Sequence, residues 1–295
     1  MLRLLALLVL PLFAAWPATA CAAAPAFTSD RISVEVRGEG PDVVLIPGLS
    51  SHPQVWESTV AAIPGYRYHL VHVAGFAGKP AGANASGAVI EPVAGEIARY
   101  IREARLERPA LVGHSMGGSW AMAVAGRNPD LASLVMVVDM IPYMGFLFGG
   151  PNATVDSLRP VAEQIRRGFA TQDAEARRRT VEQTIGTMVR TETLRPRVIE
   201  QSLASDRAVS GQAFYELILL DLRPELRNIR VPLKVLWVHP PNAPVGPEMM
   251  EQAYRLSYAN APQAELQRIA DSYHFIMFDQ PELFQRELRE FLQGS

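Results

Sequence analysis

Cysteine is nearly absent. The 295-residue chain has one, Cys21, so no disulfide can form within it. Charge of one sign is not in excess either. Twenty-eight Lys and Arg stand against 30 Asp and Glu, a formal net charge of -2. That balance carries no electrostatic footprint for nucleic acid or an anionic membrane surface. There are six histidines, and His52, His69, His72 and His239 are scattered without ligand-like spacing. No metal site and no cofactor is expected from them. Internal repeats and long disordered tracts are not evident.

The apolar stretch Leu4 to Trp16 is too short to span a bilayer comfortably. Arg3 precedes it, and Ala18-Thr19-Ala20 follows as a small-residue cleavage site. Residues 1–20 therefore read as a secretory signal peptide. Pro11 and Pro17 count against a buried N-terminal helix. Cys21, at the cleavage point, could carry a lipid anchor, but Ala18 stands where such signals usually have leucine. A soluble periplasmic or secreted product is the expectation.

Hydrophobic residues make up 48% of the chain, enough for one large α/β domain or a core with an inserted subdomain. Ile32, Val34 and Val36 alternate with polar residues, as in an edge strand. Val43–Ile46, Tyr68–Val73, 109–113, Leu134–Val138, Leu233–Val238 and Leu266–Ile269 are apolar, strand-like runs. Residues 74–90 form a loop, and Val93 to Leu106 has helical spacing. A final amphipathic helix is predicted over about 282–293. Residues 143–222 differ: helical patterns over roughly 156–169, 173–191, 195–205 and 210–221 dominate. The core is therefore 26–142 plus 223–295, a mostly parallel sheet with a helical cap at 143–222.

The most informative run is Gly113-His114-Ser115-Met116-Gly117. It lies between the strand 109–113 and a helix over 115–127. Strand, sharp turn and helix form the context in which such a serine becomes a nucleophile at the positive end of a helix. A serine hydroxyl needs a base, and the base needs an orienting group. His274, in the loop Asp271–Phe275 after the last strand, is the candidate base. His114 is expected to pack under the turn. Two backbone N–H groups should hold the oxyanion: Met116, after the serine, and Leu49, in the Ile46-Pro47-Gly48-Leu49 turn.

With these residues in place, the chain resembles the α/β-hydrolase superfamily, in its lid-bearing esterase, lipase and peptidase-like branch. The resemblance rests on Ile46–Leu49, Gly113–Gly118, Asp221-Leu222-Arg223-Pro224, Val231-Pro232-Leu233, the His274 loop and Gln280-Pro281-Glu282. It implies an α/β-hydrolase fold, a mostly parallel central sheet with helices on both faces and an inserted helical cap. Two positions depart from the usual pattern. Pro47-Gly48 stands for His-Gly, and His72-Val73-Ala74-Gly75 lacks the usual Asp.

The triad acid is the larger departure. In most of the superfamily it follows the strand after the cap, but here His239–Pro244 contains no carboxylate. Asp139, at the end of the strand after the nucleophile helix, is the alternative, as in haloalkane dehalogenases. Asn242 could orient a histidine without balancing its charge. Asp271 is a weaker candidate, and Asp279 is expected to cap the last helix. Met140, Tyr143, Met144 and Phe146 lead into the cap and either line an acyl pocket or pack cap against core. Arg166-Arg167 and Arg177-Arg178-Arg179 read as solvated helix faces. The expected activity is cleavage of small carboxylic esters through an acyl-enzyme. An aminopeptidase or amidase, with Glu163, Glu175, Glu182 or Glu192 capturing an amine, is one alternative. A binding protein with a retired site is another.

Overall fold

The computed structural model describes residues 27–150, 152–241, 243 and 245–294. The expected signal peptide, Cys21 and Asn242 lie outside the described residues. Seven strands form one sheet: β1 (Ile32–Arg37), β2 (Asp42–Ile46), β3 (Arg67–Val73), β4 (Ala110–His114), β5 (Leu134–Val138), β6 (Leu233–Val238) and β7 (Ala264–Ile269). Their order is β1-β3-β2-β4-β5-β6-β7. β1 runs antiparallel to β3. The other five pairings are parallel.

Side chains alternate across a strand, so an unbroken apolar run serves two cores at once. In β2, Val44 and Ile46 join one buried cluster while Val43 and Leu45 join the other. In β5, Val135 and Val137 face one way, and Leu134, Met136 and Val138 the other. Helices Ile90–Glu103, Met116–Arg127 and Pro247–Ser257 cover the first face, through Val93, Ile97, Trp120 and Tyr254. The helix Pro281–Gln293 covers the second, through Phe284, Leu288 and Leu292. β1 sits at the edge, with Ile32 turned in and Val36 half exposed. Glu35 and Arg37 beside it keep that edge charged.

Between β5 and β6 the chain leaves the sheet. Helices Val155–Thr171, Ala174–Met188, Arg195–Ala204 and Arg207–Leu219 follow a short turn at Phe146–Gly149. No sheet strand occurs in this insert among the described residues. The helix starts are written locally. Thr154, Asp173 and Asp206 each accept a backbone N–H from three residues on, which satisfies an otherwise orphaned donor. The entry and exit of the insert lie side by side: Tyr143 pairs with Asp221 in an isolated bridge, and Leu222 N–H donates to Pro142 O at 2.9 Å.

The insert is fixed to the core at several points. Asp206 N–H donates to Gly75 O at 2.7 Å. Ala77 N–H donates to Ser205 Oγ at 2.8 Å, and His52 N–H to Gln201 Oε1 at 3.0 Å. The Glu216 carboxylate accepts from Val89 N and Ile90 N, at the helix start where a negative charge is favoured. A Cβ at Gly75 would lie 2.8 Å from Val209, so that glycine admits the insert's close approach.

Candidate active site

The site begins with backbone strain. Ser115 stands between β4 and the helix Met116–Arg127 with φ 53° and ψ −126°, a conformation costly for any residue with a side chain. Two glycines permit it. A Cβ at Gly113 would fall 2.1 Å from Gly117 O, and one at Gly117 would fall 2.1 Å from Ile46 O. Both obstacles are backbone and cannot swing away. Ser115 N–H donates to Val138 O at 2.9 Å, tying the turn to the end of β5.

The loop after β2 packs directly on this turn. A Cβ at Gly48 would come 3.0 Å from Ser115 Cβ. Leu49 therefore follows a residue in contact with the serine, and Met116 is the first residue of its helix. No acceptor among the described residues takes the N–H of either. Ser50, at φ 56°, is locked by a 2.9 Å bond between its Oγ and Ser210 Oγ of the insert.

Asp139 stands at the end of β5, also at positive φ, 53°. Its N–H donates to Leu236 O at 2.7 Å. Its carboxylate accepts three bonds. Val238 N–H reaches Oδ1 at 3.1 Å, and the Tyr254 hydroxyl reaches Oδ1 at 3.0 Å. His274 Nδ1 lies 2.6 Å from Oδ2. A carboxylate only accepts, so Nδ1 carries the hydrogen and Nε2 keeps its lone pair. The His274 and Asp139 side chains are 20% and 11% exposed, so solvent reaches the pair.

His114 lies under the turn, fully buried. Its Nε2–H donates to the backbone carbonyl of His274 at 3.1 Å, and the two rings are 4.6 Å apart. Burial first, and then the neighbouring His274, push its pKa well down, so it stays neutral. His114 thus couples the serine turn to the histidine loop.

The other candidates fall elsewhere. Asp271 is exposed, 3.9 Å from Arg190, and offers His274 no side-chain bond. Asp279 does not cap the last helix. Pro281 starts that helix, and the cap position falls on Gln280, which makes no side-chain cap bond. Asp279 instead accepts from Arg190 N, Thr191 N and Thr191 Oγ1 of the insert and from Tyr273 N of the histidine loop. Phe275 N–H adds a 3.2 Å bond to Met188 O. The loop bearing His274 is therefore seated on the insert.

Met140 is buried, with its carbonyl accepting from the Tyr258 hydroxyl at 2.7 Å. Tyr143 packs into the base of the insert with Leu158, Ala162 and Ile218, its ring 4.5 Å from the Arg223 guanidinium carbon. That placement takes Tyr143 away from the acyl-pocket role. Met144 and Phe146 are half-buried against the main core. A surface recess lined by Pro41, Arg67, Arg105 and Arg108 lies at the amino ends of the strands. The Ser115 turn is at the carboxyl ends, where open α/β sheets bind ligands. Among the described residues no cluster of His, Cys, Asp and Glu could hold a metal ion.

Tyr254 and Tyr258 escape sequence reasoning because their helix does. Gly246-Pro247-Glu248, with proline at the first helical position and an acid in the first turn, is the signal that could have found it.

The sequence profile of the α/β hydrolase family matches residues 43–287. A pimeloyl-(acyl-carrier protein) methyl ester esterase of Aeromonas hydrophila is 34% identical over 115 residues, 38% of this chain and 43% of that protein. The protein of the same name from Vibrio cholerae is 26% identical over 213 residues, 69% of this chain and 77% of its own length. An esterase from Exiguobacterium antarcticum superposes with a TM-score of 0.70 at 22% identity, over 89% of this chain and 95% of that one.

Proposed function

This chain belongs to the α/β hydrolase family, and from that premise we propose that it is an exported serine hydrolase cleaving small carboxylic esters. The observation that carries the reading is the 2.6 Å contact between His274 Nδ1 and Asp139 Oδ2, beside the strained Ser115 turn. Names of relatives, methyl ester esterases and an esterase, favour an ester over an amide.

The chemistry follows from these groups. Ser115 Oγ attacks the ester carbonyl while Nε2 of His274 takes its proton. The imidazolium so formed is stabilised by Asp139. The N–H groups of Leu49 and Met116 receive the developing oxyanion. His274 returns the proton to the leaving alcohol, and the acyl group stays on Ser115. Water, activated by the same histidine, then frees the acid. Leu49, Met144 and Phe146 are the apolar candidates for the acyl side.

Ser115→Ala should lower the hydrolysis of p-nitrophenyl esters by about 10⁴-fold or more. A purified, folded variant working at the wild-type rate would overturn the assignment. Export predicts a mature N-terminus near Cys21, read by mass spectrometry of the periplasmic fraction. The soluble form is the reading taken here, so a diacylglycerol mass on Cys21 would count against it.

A further inference from the structure

We propose that Tyr254 is a positioning residue, holding the Asp139 carboxylate in the rotamer that meets His274. This rests on the serine-hydrolase reading and extends the triad by one member. Tyr254 lies in the helix after β6, the stretch that follows the place where most relatives keep their acid. With the acid at the end of β5 instead, this helix supplies a hydroxyl donor to it. The helix thereby still serves the histidine, at one remove.

The geometry is specific. Tyr254 is buried, and its ring stacks on Trp237 with centroids 4.9 Å apart and a 23° interplanar angle. It also stacks with the Tyr258 ring, centroids 6.5 Å apart and 6° between the planes. These neighbours fix the ring, so the hydroxyl has one direction to point, toward Asp139 Oδ1 at 3.0 Å. Val238 N–H occupies the same oxygen. With both donors on Oδ1, Oδ2 is left to His274. Three donors on its two oxygens therefore set the orientation of the Asp139 carboxylate.

The hydroxyl remains a donor over any ordinary assay range. Burial first, then the charge of Asp139, hold the Tyr254 pKa well above that of a free phenol. The titratable groups around the Asp139–His274 pair are Tyr254, Tyr258 and His114. Tyr258 is likewise pushed up, and His114 is pushed down. None of the three changes charge as the site works.

The test compares two deletions of one oxygen each. Tyr254→Phe keeps the stack and removes the bond to Asp139. Tyr258→Phe keeps the stack and removes the bond to Met140 O, which does not touch the carboxylate. Tyr254→Phe should lower kcat about 10-fold with KM little changed, because a loosened acid misplaces the base. It should also move the acid limb of kcat/KM to higher pH by roughly half a unit, since the carboxylate loses a donor and faces the imidazolium with more charge. Tyr258→Phe should leave the limb in place. The low-field proton resonance of the His274–Asp139 bond supplies a readout that needs no turnover. It should shift in Tyr254→Phe and stay in Tyr258→Phe. An unchanged limb and resonance in folded Tyr254→Phe would overturn the proposal, as would equal changes in both variants. Loss of the serine reading would show separately, as wild-type activity surviving Ser115→Ala.

Discussion

The Asp139 carboxylate accepts three hydrogen bonds on two oxygens, two of them from side chains that substitution can test. Asp139→Asn keeps the shape but presents an amide where a carboxylate stood. The histidine would lose its oriented tautomer and its counter-charge, so kcat should fall by about 10⁴-fold, with KM less affected. Steady-state kinetics on a soluble ester checks this. Gly117→Ala tests the turn. Its Cβ would meet Ile46 O at 2.1 Å, so urea unfolding should show a loss of about 3 kcal/mol or failure to fold. His72 makes a prediction about pH. Burial pulls its pKa from 6.5 to about 4, against the smaller opposing effect of its bond to Phe76 O. Between those values the unfolded chain binds the proton that the folded one refuses, so stability is present above pH 6.5 and is lost as pH falls toward 4. The loss from this residue should be on the order of 1–3 kcal/mol, since the group is partly solvent-screened, and His72→Gln should flatten the decline in a urea-unfolding series over that range.

At the scale of elements, the contrast between what was legible and what was not follows the range of the interactions. β5 and β6 were readable to the residue because strands buried on both faces are continuous apolar runs with no competing pattern. The insert helices are legible to within a few residues because their helical patterning is local. Pro247–Ser257 escapes the reading although Met249, Met250, Ala253, Tyr254 and Leu256 recur in it with helical spacing. The role of Asp279 was misread for a different reason. Its position just before Pro281 looks like a local cap, while its actual partners Arg190 and Thr191 lie 89 and 88 residues away, beyond any spacing rule. The role of Tyr254 is hidden twice over, because its helix goes unread and its partner is 115 residues distant. Asp279→Ala should cost about 2 kcal/mol in denaturant unfolding, because several N–H donors lose one acceptor. It should also lower kcat/KM, because Tyr273 loses the anchor that seats the His274 loop.

The sheet carries a helical insert over the carboxyl ends of its strands, beside Ser115 and His274, and that roof is fastened on two sides. One margin holds Ser50, His52, Gly75 and Ala77 through Ser210, Gln201, Asp206 and Ser205. The other holds Asp279 and Phe275 through Arg190, Thr191 and Met188. Opening it would break hydrogen bonds on two sides at once, including the buried Ser50–Ser210 hydroxyl pair. On the serine-hydrolase reading, an ester then reaches Ser115 as a single dissolved molecule, without the insert lifting away. Velocity against concentration of a sparingly soluble ester should pass its saturation point without a jump, because droplets offer this protein nothing that free monomers do not.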